Sequence, residues 1–296
     1  MLSSRGSLLS LISSARWSTT AANSLGLRRV LLPLFRTFNL GDITLRHPWT
    51  GDRMLVHSFR HKGYWFLGRK REFETMTAFQ RLLKSGDVVI DVGAHIGYTA
   101  VFFARLVGPA GHIYAFEPGP NNLPYTRRNC SNCQFKNISL IEMAASDSDG
   151  CAPLYIETLT GQNNSLLCDY PSVSAVARTH GSRPETAPAT VRTIQLDSYL
   201  EQYDLRPALI KIDVEGAEAE VLNGALKTLA RIRPILMVEV TQRHSVVTNI
   251  LLEHNYRLFT PAGAPIDVSE HPGDDPVSGN VFAFPAENRD SRLNEA

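Results

Sequence analysis

Two short segments hold most of the residues that could do chemistry. The first is Asp91-Val92-Gly93-Ala94-His95-Ile96-Gly97, which closes the apolar, β-branched run Val88-Val89-Ile90-Asp91-Val92. A glycine turn between a buried strand and a helix bends tightly at Gly93 and permits close approach of a ligand or helix at Gly97. Amides at the start of that helix are available to an anionic group. The second segment is Lys211-Ile212-Asp213-Val214-Glu215-Gly216-Ala217-Glu218. Alternation along a strand puts Lys211 and Asp213 on one face. Charged groups at the end of a buried strand are costly unless solvated or used. Asp213 is read as used, and Glu218 as favouring a helix N-terminus through its dipole.

The glycine spacing selects the ligand. A dinucleotide fingerprint needs glycine at 93, 95 and 98, where this chain has Gly93, His95 and Tyr98. A pyrophosphate loses its close approach there, so an NAD- or FAD-dependent oxidoreductase is disfavoured. S-adenosylmethionine, with a carboxylate and no phosphate, suits the pattern better. Glu117 ends a second strand, 20 residues after Gly97, where an acid can accept from both hydroxyls of a ribose. Asp147 follows the third strand, where a carboxylate could accept from an adenine amino group.

Elements of a definite order must position these groups. Strands are expected at 43–46, 54–59, 88–92, 112–116, 138–143, 209–214, 235–240, 256–259 and 281–284. Helices are expected at 72–83, 98–107, from Pro118 towards Cys130, 217–232 and 244–254. Strand and helix alternation predicts a mostly parallel sheet with helices on both faces. Residues 157–188 are rich in Ser, Thr, Asn, Gly and Pro without periodicity. They read as a long loop and a candidate lid over the site. Glu72 and Glu74 are read as a solvated helix face rather than as lining of a substrate pocket.

Thirty basic residues against 29 acidic ones leave a net charge of +1, with 43% hydrophobic and 20% charged residues. No general field exists to draw in nucleic acid or an anionic membrane. No apolar run approaches the roughly 18 residues of a membrane-spanning helix. Cys130 and Cys133 have C-x-x-C spacing, but Cys151 and Cys168 are distant, so no four-ligand metal site is expected. Residues 1–41 contain no acid and several arginines among Ser, Thr, Leu and Ala. They form a basic extension that is either without structure apart from a short helix or a mitochondrial-type transit peptide. The catalytic domain is expected over 42–285, with cap elements at 42–84, and a polar tail at 286–296. A cytoplasmic location is expected, or a mitochondrial one if the extension acts in targeting.

Asp87 through Asn129, with Val89-Ile90-Asp91-Val92-Gly93-Ala94-His95-Ile96-Gly97-Tyr98 and Ala115-Phe116-Glu117-Pro118, resembles the FkbM-type methyltransferase family. Lys211 to Glu218, followed by Val221-Leu222-Asn223-Gly224-Ala225, is similar to that family's second signature, and Arg233-Pro234-Ile235 leading to Glu239 to its next strand. The resemblance implies a Rossmann-like class I fold with seven strands and S-adenosylmethionine as methyl donor. It also implies an oxygen acceptor on a sugar, polyketide or similar small molecule. The implied donor site comprises Asp91, Gly93, His95, Gly97, Tyr98, Glu117 and Asp147. The family commonly has Asn where this chain has His95. A hydroxyl acceptor benefits from a general base, and the candidates by position are Asp213 first, then Glu239 and His244. The alternatives are N-methylation of a protein or amine and a non-catalytic module that binds the donor. Sequence leaves the oligomeric state open.

Overall fold

The computed structural model describes residues 41–157, 163–167, 186–240, 244–267 and 278–287. The basic extension up to Leu40 lies outside the described residues. An antiparallel hairpin comes first, β1 (Asp42–Arg46) against β2 (Arg53–His57), followed by helices α1 (Lys62–Phe66) and α2 (Phe73–Leu82). Then strand and helix alternate as β3 (Val88–Val92), α3 (Tyr98–Val107), β4 (His112–Phe116), α4 (Leu123–Asn132) and β5 (Ile138–Ile141). β6 (Ala144–Ala145), β7 (Gly150–Glu157) and β8 (Thr186–Ile194) form a small sheet of their own. After α5 (Leu196–Gln202) come β9 (Leu209–Ile212), α6 (Glu218–Asn223), α7 (Leu226–Arg231) and β10 (Ile235–Val240). α8 (His244–Glu253), β11 (Tyr256–Phe259) and β12 (Gly279–Pro285) complete the order.

Seven strands pair in the order β11-β12-β10-β9-β3-β4-β5. β3, β4, β5, β9 and β10 run parallel, and β12 is antiparallel to both its neighbours. This is the Rossmann-like, seven-stranded and mostly parallel sheet expected above. The strand order reverses between β3 and β9, the place where such sheets open a crevice for ligands.

The pleat divides the core in two. Val89, Leu209, Met237 and Ala115 face one cluster with Phe79, Phe103 and Phe282. Ile90, Val92, Ile210, Ile212, Val238 and Phe116 face the other with Leu196, Leu222, Leu229 and Val247. By the same two-residue period, Asp91, Lys211 and Glu239 fall on the face of the first cluster. Asn129 of α4 ties the N-terminal hairpin to that layer. Its Oδ1 accepts from the Leu55 amide at 2.6 Å, and its Nδ2 donates to the Leu55 and Ile96 carbonyls at 3.0 and 2.7 Å.

Two expectations need correction, and one helix was not expected. The expected loop 157–188 is flanked by strand: β7 and β8 pair over eight residues, with Pro153 opposite Thr190 and Pro188 opposite Tyr155. Prolines and polar residues mask a strand pair lying outside the main sheet. The expected helix 217–232 is two helices, broken at Gly224 and Ala225. A Cβ on Gly224 would lie 2.0 Å from the Ser146 carbonyl oxygen, so close packing against the β6 turn fixes the break. The Asp197 carboxylate of α5, a helix absent from the sequence reading, accepts from the Lys227 and Thr228 amides at 2.8 Å and so caps α7. At the start of the polar tail, Glu287 pairs with Arg233. No helix among the described residues is long and apolar enough to cross a membrane.

Candidate active site

β3 leaves the sheet through a turn with left-handed backbone at Gly93 (φ 80°), His95 (φ 49°) and Gly97 (φ 80°). A Cβ on Gly93 would lie 1.7 Å from the Asp213 carbonyl oxygen, so β9 closes against this turn only if residue 93 is glycine. The Gly93 and Ala94 amides both donate to the Phe116 carbonyl at 3.0 Å. The His95 amide donates to Glu117 Oε2 at 2.7 Å, and the Thr126 hydroxyl donates to the His95 carbonyl. These bonds hold a non-glycine residue in a costly conformation. Glu117 Oε1 accepts from the Gly119 amide at 2.8 Å and from Asn122 Nδ2 at 3.2 Å. Burial pushes the Glu117 carboxyl up to about 7.

Across the switch point, Lys211 Nζ lies 3.3 Å from Asp91 Oδ1 and 3.1 Å from Asp213 Oδ2. Burial alone would favour the neutral amine, but Asp213 and Asp91 outweigh it and hold the ammonium above the ordinary lysine range. Asp91 also accepts from the Thr99 hydroxyl at 2.7 Å. Burial works upward on Asp213, yet Lys211, a hydrogen bond from Glu239 and the Arg71 charge prevail and keep it ionised. The Asp213 charge, then burial, push Glu239 far above the usual carboxylate range, so Glu239 carries the proton it donates to Asp213. Oxygens of Asp213, Glu215 and Glu239 lie within 4.8 Å of one another, a spacing at which a divalent cation could be held. Lys211 already places a positive charge against Asp213.

A cleft of about 830 Å³, its open mouth included, joins these groups. Phe116, Glu117, Asn122, Met143 and Ala145 line one part of it; Tyr64, Arg71, Glu72, His95, Asp213, Glu215 and Glu239 also line it. Tyr64, Arg71 and Glu72 come from the segment before the sheet. The Arg71 guanidinium lies 4.3 Å from the Tyr64 ring centroid and pairs with Glu72 at 3.0 Å. Asn164 and Leu166 line the cleft from the described part of the expected lid, and the Ser165 hydroxyl donates to the Glu215 carbonyl at 2.8 Å.

Of the residues expected to form the site, Gly93, His95, Glu117, Asp213 and Glu239 line this cleft. Asp91 is fully buried beneath it against Lys211. Gly97 and Tyr98 are not among the lining residues. A Cβ on Gly97 would meet Cys130 Sγ at 3.3 Å, and Tyr98 stacks on His47 at 4.2 Å between ring centroids. Asp147 is exposed and interacts with the Ser146 and Ser148 hydroxyls, away from the cleft lining. His244 is the first residue of α8, and its side chain lies outside the described residues. Glu72 lines both the cleft and a separate depression, and Glu74 lines only the latter, with Phe73 and Asn280. Sequence reasoning missed Tyr64, Arg71 and Asn164. The signal for Asn164 was the polar composition of its loop; Tyr64 and Arg71 carried none. Cys130 and Cys133 are buried free thiols, and burial pushes Cys130 up to about 12.

Comparison with known proteins bears on this arrangement. The 2-O-methyltransferase NoeI of Sinorhizobium fredii is 28% identical over 157 residues, covering 51% of this chain and 63% of NoeI. The hexuronic acid methyltransferase AglP of Haloferax volcanii is also 28% identical, covering 51% of this chain and 55% of AglP. A protein-L-isoaspartate O-methyltransferase of Methanothrix thermoacetophila is 41% identical over 59 residues, covering 20% of this chain and 28% of that protein. The matches thus span less than two thirds of each of these relatives. A crystal structure of an FkbM methyltransferase from Methylobacillus flagellatus matches with 17% identity and a TM-score of 0.42, covering 67% of this chain and 43% of that one. The family model of the methyltransferase FkbM domain matches residues 91–258, from the strand carrying Asp91 to β11. That match covers more than half of the chain, and the protein belongs to the FkbM methyltransferase family.

Proposed function

We propose that the protein transfers a methyl group from S-adenosylmethionine to a hydroxyl oxygen of a sugar or related small molecule. One observation carries the reading: the ionised Asp213, bonded to protonated Glu239 and held by Lys211, lines the same cleft as Glu117. The names of NoeI and AglP support a sugar hydroxyl.

The residues present fit such a donor. Among the described residues, Glu117 Oε2 accepts only the His95 amide, which leaves lone pairs for a ribose diol. Gly93 keeps side-chain atoms away from the cleft edge beside it. When bound, S-adenosylmethionine supplies an electrophilic methyl carbon on sulfur. Transfer forms an O–C bond, breaks the S–C bond and releases the hydroxyl proton, which the Asp213–Glu239 pair has room to take. Lys211 keeps Asp213 ionised for that purpose. Holding acceptor and donor in line can contribute on the order of 7–11 kcal/mol.

Calorimetric titration of the full chain with S-adenosylmethionine and S-adenosylhomocysteine tests the donor. Transfer of labelled methyl to hexoses, uronic acids and amines then tests the acceptor. The expected result is micromolar donor binding, with Asp213→Asn and Glu239→Gln binding as wild type but turning over roughly 10²–10⁴-fold more slowly. Full turnover by Asp213→Asn would remove the base assignment, and transfer to amines alone would remove the hydroxyl acceptor.

A further inference from the structure

The His95 imidazole makes one hydrogen bond and lacks another. Nδ1 lies 2.8 Å from the Tyr64 hydroxyl. Nε2 is buried and has no hydrogen-bond partner among the described residues, although His95 lines the cleft. The tautomer follows from the partner. Tyr64 is buried, and its hydroxyl stays protonated because burial raises it above the ordinary phenol range. Among the described residues, its hydroxyl has no hydrogen-bond partner besides His95 Nδ1. A phenol that accepted from Nδ1 would leave both its own proton and the Nε2 lone pair buried and unbonded, whereas a phenol that donates leaves only Nε2–H in need of a partner. The Tyr64 O–H therefore donates to Nδ1, and the proton of the neutral ring sits on Nε2. Burial, together with His61 and Arg71, keeps the ring neutral.

A buried N–H aimed at no protein acceptor requires one from a ligand. The geometry points to His95 Nε2–H as the donor to the carboxylate of the methyl donor's amino-acid end, with Tyr64 as the positioning residue that fixes its tautomer. This assignment rests on the donor reading above. With the ribose at Glu117, the amino-acid end extends past Gly93 towards His95 and Arg71, both of which line the cleft. Arg71 adds positive charge for a carboxylate, and Glu215 suits the neighbouring ammonium. Tyr64 lies on α1, outside residues 91–258, so the helix that precedes the family domain takes part in binding the cofactor.

Two measurements on the full chain test this. Histidine ¹H–¹⁵N spectra of the free protein should show His95 as the Nε2–H tautomer, and Tyr64→Phe should shift it towards a tautomer mixture. Calorimetry should compare S-adenosylhomocysteine with 5′-methylthioadenosine, which keeps the adenosine and lacks the amino-acid end. Tyr64→Phe and His95→Gln should weaken S-adenosylhomocysteine binding roughly tenfold and leave 5′-methylthioadenosine unchanged. Equal weakening of both ligands, unchanged binding of both, or an Nδ1–H tautomer in wild type would overturn the assignment. Wild type that is folded and binds neither ligand would overturn the proposed function itself. Wild type that binds both, with variants indistinguishable from it, would overturn only the Tyr64–His95 relay.

Discussion

Asp91 and Lys211 are register partners on adjacent parallel strands, with Oδ1 and Nζ 3.3 Å apart and neither side chain more than 2% exposed. The two charges sit on the face of the sheet that packs Phe79 and Phe103, below the floor of the cleft. A buried pair of this kind contributes little net stability, but removing one partner strands the other. Lys211→Met should therefore destabilise the protein by about 3–5 kcal/mol. Urea denaturation followed by tryptophan fluorescence measures it, and a change below about 1 kcal/mol would show that Asp91 does not depend on Lys211 for its charge compensation.

Glu218 gives the fold a dependence on pH. Burial raises its carboxyl from 4.5 to about 7. The folded state favours the protonated form, so this contribution is complete below about pH 4.5 and is lost as pH rises towards 7. Glu218→Gln keeps an oxygen to accept the Gly216 amide, at 2.8 Å in wild type, and removes the titration. Glu117 moves in the same direction, and buried His47 and His61 in the opposite one, but all three remain in both proteins. Wild type minus variant stability should thus fall with pH between about 4.5 and 7, by up to about 1.4 kcal/mol per pH unit. A pH-independent difference would contradict it.

Gly93 and Gly51 separate clash from backbone strain. Both have φ near 80°, but a Cβ at 51 meets nothing within 4 Å, whereas one at 93 lies 1.7 Å from the Asp213 carbonyl. Gly51→Ala should cost about 1 kcal/mol from the left-handed conformation alone. Gly93→Ala should cost on the order of 3 kcal/mol and abolish donor binding in calorimetry. Equal costs would mean that β9 can move away from the turn.

Asn129 carries the attachment of the hairpin. It is 1% exposed and makes three hydrogen bonds, two of them to the Leu55 backbone. Asn129→Ala leaves those backbone groups short of partners and should cost on the order of 3 kcal/mol. It should also open residues 47–53 to limited proteolysis. A protease-resistant variant of wild-type stability would show that packing alone holds the hairpin. Asn129 and Asn137 both fall in glycosylation-type triplets, yet both are buried with bonded amides.

The sheet and half of the cleft were legible in the sequence because they rest on local signals. Apolar runs mark β3, β4, β9 and β10, and a period of two places Lys211 and Asp213 on one face without any knowledge of the fold. Gly93 and Glu117 follow from the strand ends that carry them. What sequence could not determine depends on contacts between distant segments. Tyr64 and Arg71 reach the cleft because Asn129, 74 residues from Leu55, clamps the β1–β2 hairpin over α4. That Asp147 is exposed after the β6 turn and is not among the cleft-lining residues is likewise a matter of tertiary structure. The protonation of Glu239 has no sequence signature at all: it exists because β10 brings that half-buried carboxyl against Asp213, and two carboxyls at that range share one proton.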